Sequence, residues 1–229
     1  MFMVFVTGDA HAQFDHIVNF CKKHMTSDDI LIMLGDVGLN YYLGKKDKKN
    51  KELLQGLNRN ILMIHGNHEC RPENIETYTG IENDMGRFLY EPNYPNLLFC
   101  IDGEEYLIEG KIYLALGGAY SVDKYYRLSR GYNWWADEQM DENTKQRIRV
   151  NSFGKNYDYI IAHTCPYKYV PTEMFLANVD QSTVDNSMEE FLNECEKNIG
   201  YKQYYCGHYH TNKSIDKIRF LYNDIIEVT

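Results

Sequence analysis

Short apolar runs alternate with amphipathic stretches along the opening of the chain. Residues 3–7, 30–34 and 60–65 are such runs and read as strands. Between the first two, Phe14, Ile17, Val18 and Cys21 recur at helical spacing, which predicts a helix over 13–24. Between the second and third, the basic run Lys45-Lys46-Asp47-Lys48-Lys49 leads into a helix carrying Leu53, Leu54 and Leu57. A βαβαβ opening predicts a parallel sheet with covering helices.

The pattern then changes. Segments 97–101, 105–109 and 111–116 are separated by Asp102-Gly103 and Gly110, which predicts an antiparallel meander. A helix is predicted over 137–150 and a strand over 158–162. Ser187 and Glu190 have the spacing of a capping box opening a helix that runs to about Asn198. Residues 203–206 form another strand, and 212–228 breaks into two or three short strands at Asp216-Lys217 and Asn223-Asp224. The expected architecture is mixed α/β with two sheets, in one domain spanning 1–229.

Composition narrows the partners more than the fold. The 229 residues hold 44% hydrophobic side chains and no run near the roughly 20 apolar residues of a membrane span. The apolar start is short and lacks the basic flank of a signal peptide, so a cytoplasmic protein is expected. Six scattered cysteines without a C-x-x-C pair read as free thiols. A net charge of -9 disfavours nucleic acid and anionic membranes as partners. Twenty tyrosines are read as rings packed under polar surface rather than as an aromatic rim around a cleft.

The chemistry lies just after the strands. Asp9-Ala10-His11 follows the first, Gly35-Asp36 the second and Gly66-Asn67-His68-Glu69 the third. His163 and Gly207-His208-Tyr209-His210 follow two later strands. Ligand sites in α/β sheets gather at carboxyl ends of strands, so these loops can share one crevice. A lone His or Asp there is usually a satisfied polar group, but five blocks hold five of the eight histidines. Carboxylate, amide and imidazole donors together suit Mn, Fe, Zn or Mg. His16 and His24 lie on the predicted first helix and are expected to face solvent.

The ordered set D-x-H, G-D, G-N-H-E, H and G-H-x-H resembles the calcineurin-like metallophosphoesterase superfamily over nearly the whole chain. The resemblance implies a β-sandwich of two mixed sheets flanked by helices, with two divalent cations, Mn foremost, bridged by one carboxylate. By position, Asp9, His11, Asp36 and His210 would hold one ion, and Asp36, Asn67, His163 and His208 the other. It also implies hydrolysis of a phosphomonoester or phosphodiester by a metal-bound hydroxide, on a phosphoprotein or a small molecule. His68, with an ordinary pKa of about 6.5, suits the general acid.

The pattern departs from the protein Ser/Thr phosphatase branch, whose G-D-x-x-D-R-G becomes Gly35-Asp36-Val37-Gly38-Leu39-Asn40. Leu39 replaces the aspartate that would orient the catalytic histidine, and Asn40 replaces the phosphate-gripping arginine. Arg127, in a glycine-rich loop leaving a strand, and Arg71 are the candidates to grip phosphate instead. Asp123 and Glu69 are candidates to orient His68. Trp134-Trp135 is read first as packing and second as a cleft wall. The alternative function is a metallophosphoesterase-like scaffold, catalytically silent, that binds protein partners; intact ligand positions count against it.

Overall fold

The computed structural model describes residues 2–175 and 180–229. β1 (Val4–Thr7), β2 (Ile30–Met33) and β3 (Asn60–Met63) run parallel, as their apolar runs predict, and β6 (Leu97–Cys100) continues the parallel set. The antiparallel hairpin β4 (Thr79–Asn83) and β5 (Gly86–Tyr90) extends this sheet on one side, and β13 (Ile225–Glu227) on the other. The second sheet also has four parallel strands at its centre: β8 (Lys111–Leu116), β9 (Asn156–Ala162), β10 (Gly200–Cys206) and β12 (Ile218–Phe220). β7 (Glu105–Ile108) and β11 (Lys213–Ile215) close its edges antiparallel.

Two-residue alternation splits each central strand between two cores. Val4, Val6, Ile32 and Leu62 point between the sheets, where they meet Tyr113, Tyr159 and Ile161. Phe5, Leu31 and Met63 point outward to Ile17 and Cys21 of α1 (Asp15–His24) and to Leu54 of α2 (Lys45–Gln55). On the far face, Leu114 and Ile160 pack against Ile148 of α4 (Glu142–Ser152) and Leu192 of α5 (Ser187–Asn198). Strands buried on both faces need such uninterrupted apolar runs. The result is the helix-flanked pair of mixed sheets expected from the sequence.

Several local expectations are corrected. The meander forms only in its second half: β7 and β8 pair antiparallel as expected, but β6, buried at all four positions, joins the first sheet, while β7 alternates exposed and buried at the edge of the second. The Asp102-Gly103 turn is real, but it carries the chain from one sheet to the other. A short helix, α3 (Lys124–Ser129), occupies a stretch read as loop. The capping box at Ser187 is absent, because Asp185 Oδ1 already accepts the Ser187 N–H at 2.9 Å and Ser187 is the first helical residue. α4 begins at Glu142 rather than 137, where Asp141 caps it by accepting from Thr144 N–H at 2.8 Å.

The entry to β2 is fixed by Asp29, which accepts the N–H groups of Met3 at 2.7 Å and Thr26 at 2.6 Å. Burial alone would raise its pKa, but these two backbone donors outweigh it and hold the carboxyl below its usual range. A carboxylate with a lowered folded-state pKa stabilises above the unfolded value of about 4, and the contribution fades as pH falls through the folded value. Asp29→Asn is therefore expected to lose about 2 kcal/mol at pH 7 and progressively less below pH 4. Thermal unfolding of both proteins between pH 3 and 7 checks this; a gap that widens in acid contradicts it.

Candidate metal centre

The carboxyl ends of the parallel strands from both sheets lie at one end of the sandwich, and polar atoms stitch the sheets together there. His163, directly after β9, has Nδ1 at 2.7 Å from Leu34 O beyond β2, and Gly207 N–H donates to His163 O at 2.9 Å. The His208 N–H donates to Asp9 Oδ1 at 2.8 Å, and the His68 N–H to Asp36 Oδ1 at 2.7 Å. These loops are tightly drawn. His11, Asp36, His208 and His210 all have positive φ, between 46° and 68°. Non-glycine residues rarely adopt that region, and strain of this kind collects at functional sites.

Seven of the side chains expected at the site converge. The Nε2 atoms of His11 and His210 are 3.0 Å apart, with Asp9 Oδ2 at 3.8 Å and 3.3 Å respectively. That Asp9 oxygen is buried and has no hydrogen-bond partner among the described residues. Asp36 lies between this group and a second one, with Oδ2 3.8 Å from His11 Nε2 and Oδ1 3.6 Å from His163 Nε2. Asn67 Oδ1 is 2.8 Å from His163 Nε2, and Asn67 Nδ2 donates to Ser121 Oγ at 2.9 Å, which aims the amide oxygen inward. The His208 ring stands 5.1 Å from that of His163.

An unpartnered carboxylate oxygen facing two imidazole nitrogens is a cation's donor set, and these residues fit divalent metal. The sets Asp9, His11, His210 and Asp9, Asp36, His163 could each hold an ion, as could His11, Asp36 and His68. The last set brings His68 nearer to ligand duty than the sequence suggests.

Electrostatics suit that purpose. Burial would raise the pKa of Asp36, but the imidazoles of His163, His68 and His11 and the His68 N–H pull it far below the carboxylate range. Burial, reinforced by His163, pushes His208 down to about 3, so the ring is neutral as a ligand must be. Burial also lowers His68, against the pull of Asp36. Glu69 is pushed up to about 8 by burial and by Asp36.

The other expectations sort by geometry. Glu69 turns to the Gly66 N–H at 3.0 Å, whereas Asp123 Oδ1 lies 3.8 Å from His68 Nε2, so Asp123 is the carboxylate that faces it. Arg127 is 2% exposed and folds inward: Nε donates to Asn133 O at 2.9 Å and Nη1 to Ser121 Oγ at 3.0 Å. It reaches the site through Ser121, not as a wall of the cleft. Arg71 is held by Asp102 at 2.6 Å and by Asp137 O at 2.7 Å. Trp134 bonds Glu138 at 2.7 Å and Trp135 packs on Tyr41, which fits packing. Sequence reasoning misses Ser121; its one signal is its place after β8, the same strand-end rule that exposes the other blocks. His24 is exposed as expected, but His16 is only half-exposed; all six cysteines are free and buried.

Paired mixed sheets with aspartate, asparagine and histidine donors at their shared strand ends define a metallophosphoesterase-type protein. The chain belongs to the calcineurin-like phosphoesterase family, which it matches over residues 2–212. Among solved structures it is similar to TT1561 of Thermus thermophilus, with 10% identity, TM-score 0.51 and coverage of 100% of this chain and 99% of that one. It is also similar to phosphopantetheinyl hydrolase (PptH) from Mycobacterium tuberculosis, with 12% identity, TM-score 0.48 and coverage of 96% and 88%. At such identities the first likeness supports the fold and nothing finer. No curated protein sequence matches the chain. Among the described residues, no helix is long and apolar enough to cross a membrane.

Proposed function

We propose that the chain is a dinuclear metal-dependent phosphoester hydrolase, with Mn²⁺ the first choice and Fe, Zn or Mg the alternatives. The observation that carries this reading is the position of Asp36, whose two oxygens face His11 on one side and His163 on the other at 3.8 Å and 3.6 Å. In this reading Asp9, His11 and His210 hold one ion, Asn67, His163 and His208 the other, and Asp36 both. Divalent ions held there would supply a nucleophile at neutral pH and offset charge on the phosphoryl oxygens.

The chain's own residues do the rest. Hydrolysis breaks the phosphorus–oxygen bond to the leaving group, joins a water oxygen to phosphorus and delivers one proton to the departing oxygen. His68 is the proposed donor of that proton, with Asp123 at 3.8 Å steadying the ring. Burial works against a charged His68, and an anionic phosphoryl group beside it works in its favour. Arg127 is a positioning residue, holding Ser121 against the Asn67 amide and lying 3.7 Å from Asp123. The reading treats 1–229 as one such domain.

The test is hydrolysis of p-nitrophenyl phosphate and of its bis-ester by purified protein with and without added Mn²⁺. Metal-dependent turnover on either ester supports the proposal; metal binding without turnover across several metals overturns it. His68→Ala is expected to lower kcat by about 10²–10⁴-fold while bound metal stays unchanged. Unchanged turnover removes His68 from the proton-donor role.

A further inference from the structure

Two cavities meet at His68. The larger, of about 360 Å³, is bounded by Asp36, Asn67 and His208 on the metal side. Its other side is apolar, built from Val122, Val170, Met174, Phe175 and Val184. Three of these are unusually exposed for their type, Val122 at 52%, Met174 at 42% and Phe175 at 37%. Apolar side chains gathered at the mouth of a cleft mark a ligand surface. The smaller cavity, of about 210 Å³, lies on the other side of His68 and is lined by His11, Gly38, Tyr41 and Tyr42.

Charge decides which phosphoester fits. No lysine or arginine lines either cavity among the described residues, and Asp123 and Glu189 lie in the wall of the larger one. The nearby arginines line neither cavity: Arg127 is bonded to Asn133 and Ser121, and Arg71 to Asp102 and Asp137. Sites for dianionic phosphate ordinarily supply a guanidinium fork or an ammonium beyond any metal. A phosphodiester carries a single negative charge and has two organic arms. That matches one phosphoryl position with a cavity on each side and no lysine or arginine in either lining to balance a second charge.

We infer that this site takes phosphodiesters whose retained arm is a bulky apolar aryl or alkyl group, with that arm seated against Val122, Val170, Met174, Phe175 and Val184 and the leaving arm directed towards Tyr41 and Tyr42. The inference rests on the hydrolase reading above and names its substrate class. Hydrolysis converts the diester and one water into a phosphomonoester and an alcohol or phenol. The monoester product gains a second ionisable oxygen, which this unbalanced wall holds poorly, so it leaves.

The experiment compares phenyl p-nitrophenyl phosphate with methyl p-nitrophenyl phosphate on the Mn²⁺-loaded full chain. The two share charge and leaving group and differ only in the retained arm. The phenyl ester is expected to show a kcat/KM at least ~10-fold higher, since a few carbons in an apolar pocket supply discrimination of that order. p-Nitrophenyl phosphate at pH 8, where it is a dianion, is expected to fall at least ~10-fold below the phenyl diester. Val184→Asp and Met174→Asp are each expected to shrink the phenyl-to-methyl ratio by about fivefold or more. Equal rates for the two diesters, or a preference for the dianionic monoester, overturns the inference. If no ester turns over, the hydrolase reading fails separately, and calorimetric binding of diphenyl phosphate and dimethyl phosphate decides the pocket. About tenfold tighter binding of the diphenyl ester is expected; equal affinity overturns the assignment. Both comparisons use the unsubstituted chain, so the pocket is tested even where a variant does not fold.

Discussion

Asp36→Asn is expected to lower metal-dependent turnover by ~10³-fold or more and to empty the site of metal at the same time. The substitution isolates charge. Asp36 sits at a φ of 48°, a region that asparagine tolerates as well as aspartate. The asparagine oxygen can still accept the His68 N–H that Asp36 Oδ1 accepts at 2.7 Å. The anion is what disappears. Against the cost of its burial, His163, His68, His11 and that backbone donor hold its pKa far below the usual carboxylate range. A neutral amide presents one oxygen where the carboxylate presents two, so it cannot face both ligand groups. Metal content after exhaustive dialysis, measured beside hydrolysis, reads both effects. Retention of both refutes the bridging assignment, and loss of turnover with full metal content limits Asp36 to chemistry.

Gly66→Ala is expected to destabilise the fold by about 3 kcal/mol and to remove activity. A Cβ at Gly66 would stand 2.1 Å from Asp36 Oδ1 and 2.2 Å from Asp36 N. Neither is the end of a flexible chain. The first belongs to a carboxylate fixed by the His68 N–H, and the second to the backbone of a residue already in a left-handed conformation. Relief requires the loops after β2 and β3 to part, which separates Asp36 from Asn67. Gly80→Ala is the control, since a Cβ there meets nothing within 4 Å, and a change within ~0.5 kcal/mol is expected. Urea unfolding of both variants measures the difference. Equal stability of Gly66→Ala and the unsubstituted chain contradicts the close approach.

Strand ends are easier to read than the connections between strands. Asp9, Asp36, Asn67, His163 and His208 are legible because each falls just after an apolar run, and parallel strands place such residues at one end of a sheet. Sheet membership is not legible. Asp102-Gly103 announces that β6 has ended, but a turn signal does not say which sheet the next strand joins. The clue lies in burial: β6 is apolar throughout, whereas β7 alternates as an edge strand does. Arg127 shows a different limit. Its sequence context places it near the site, yet side-chain direction depends on the Asn133 carbonyl six residues on, which no local pattern announces. The Ser187 box fails because Asp185 competes for the same donor at 2.9 Å.

The left-handed backbone at His11, Asp36, His208 and His210 restricts the alphabet those positions can use. Glycine, asparagine and aspartate enter that region with little strain, whereas β-branched residues do not. Exchanges among a small set of polar residues can therefore retune the donor atoms while the loops keep their path. A valine or isoleucine at any of the four adds backbone strain to the lost donor, so its damage to stability exceeds what ligand removal alone accounts for. Along this rim the backbone path, and not the donor atoms alone, limits which side chains fit.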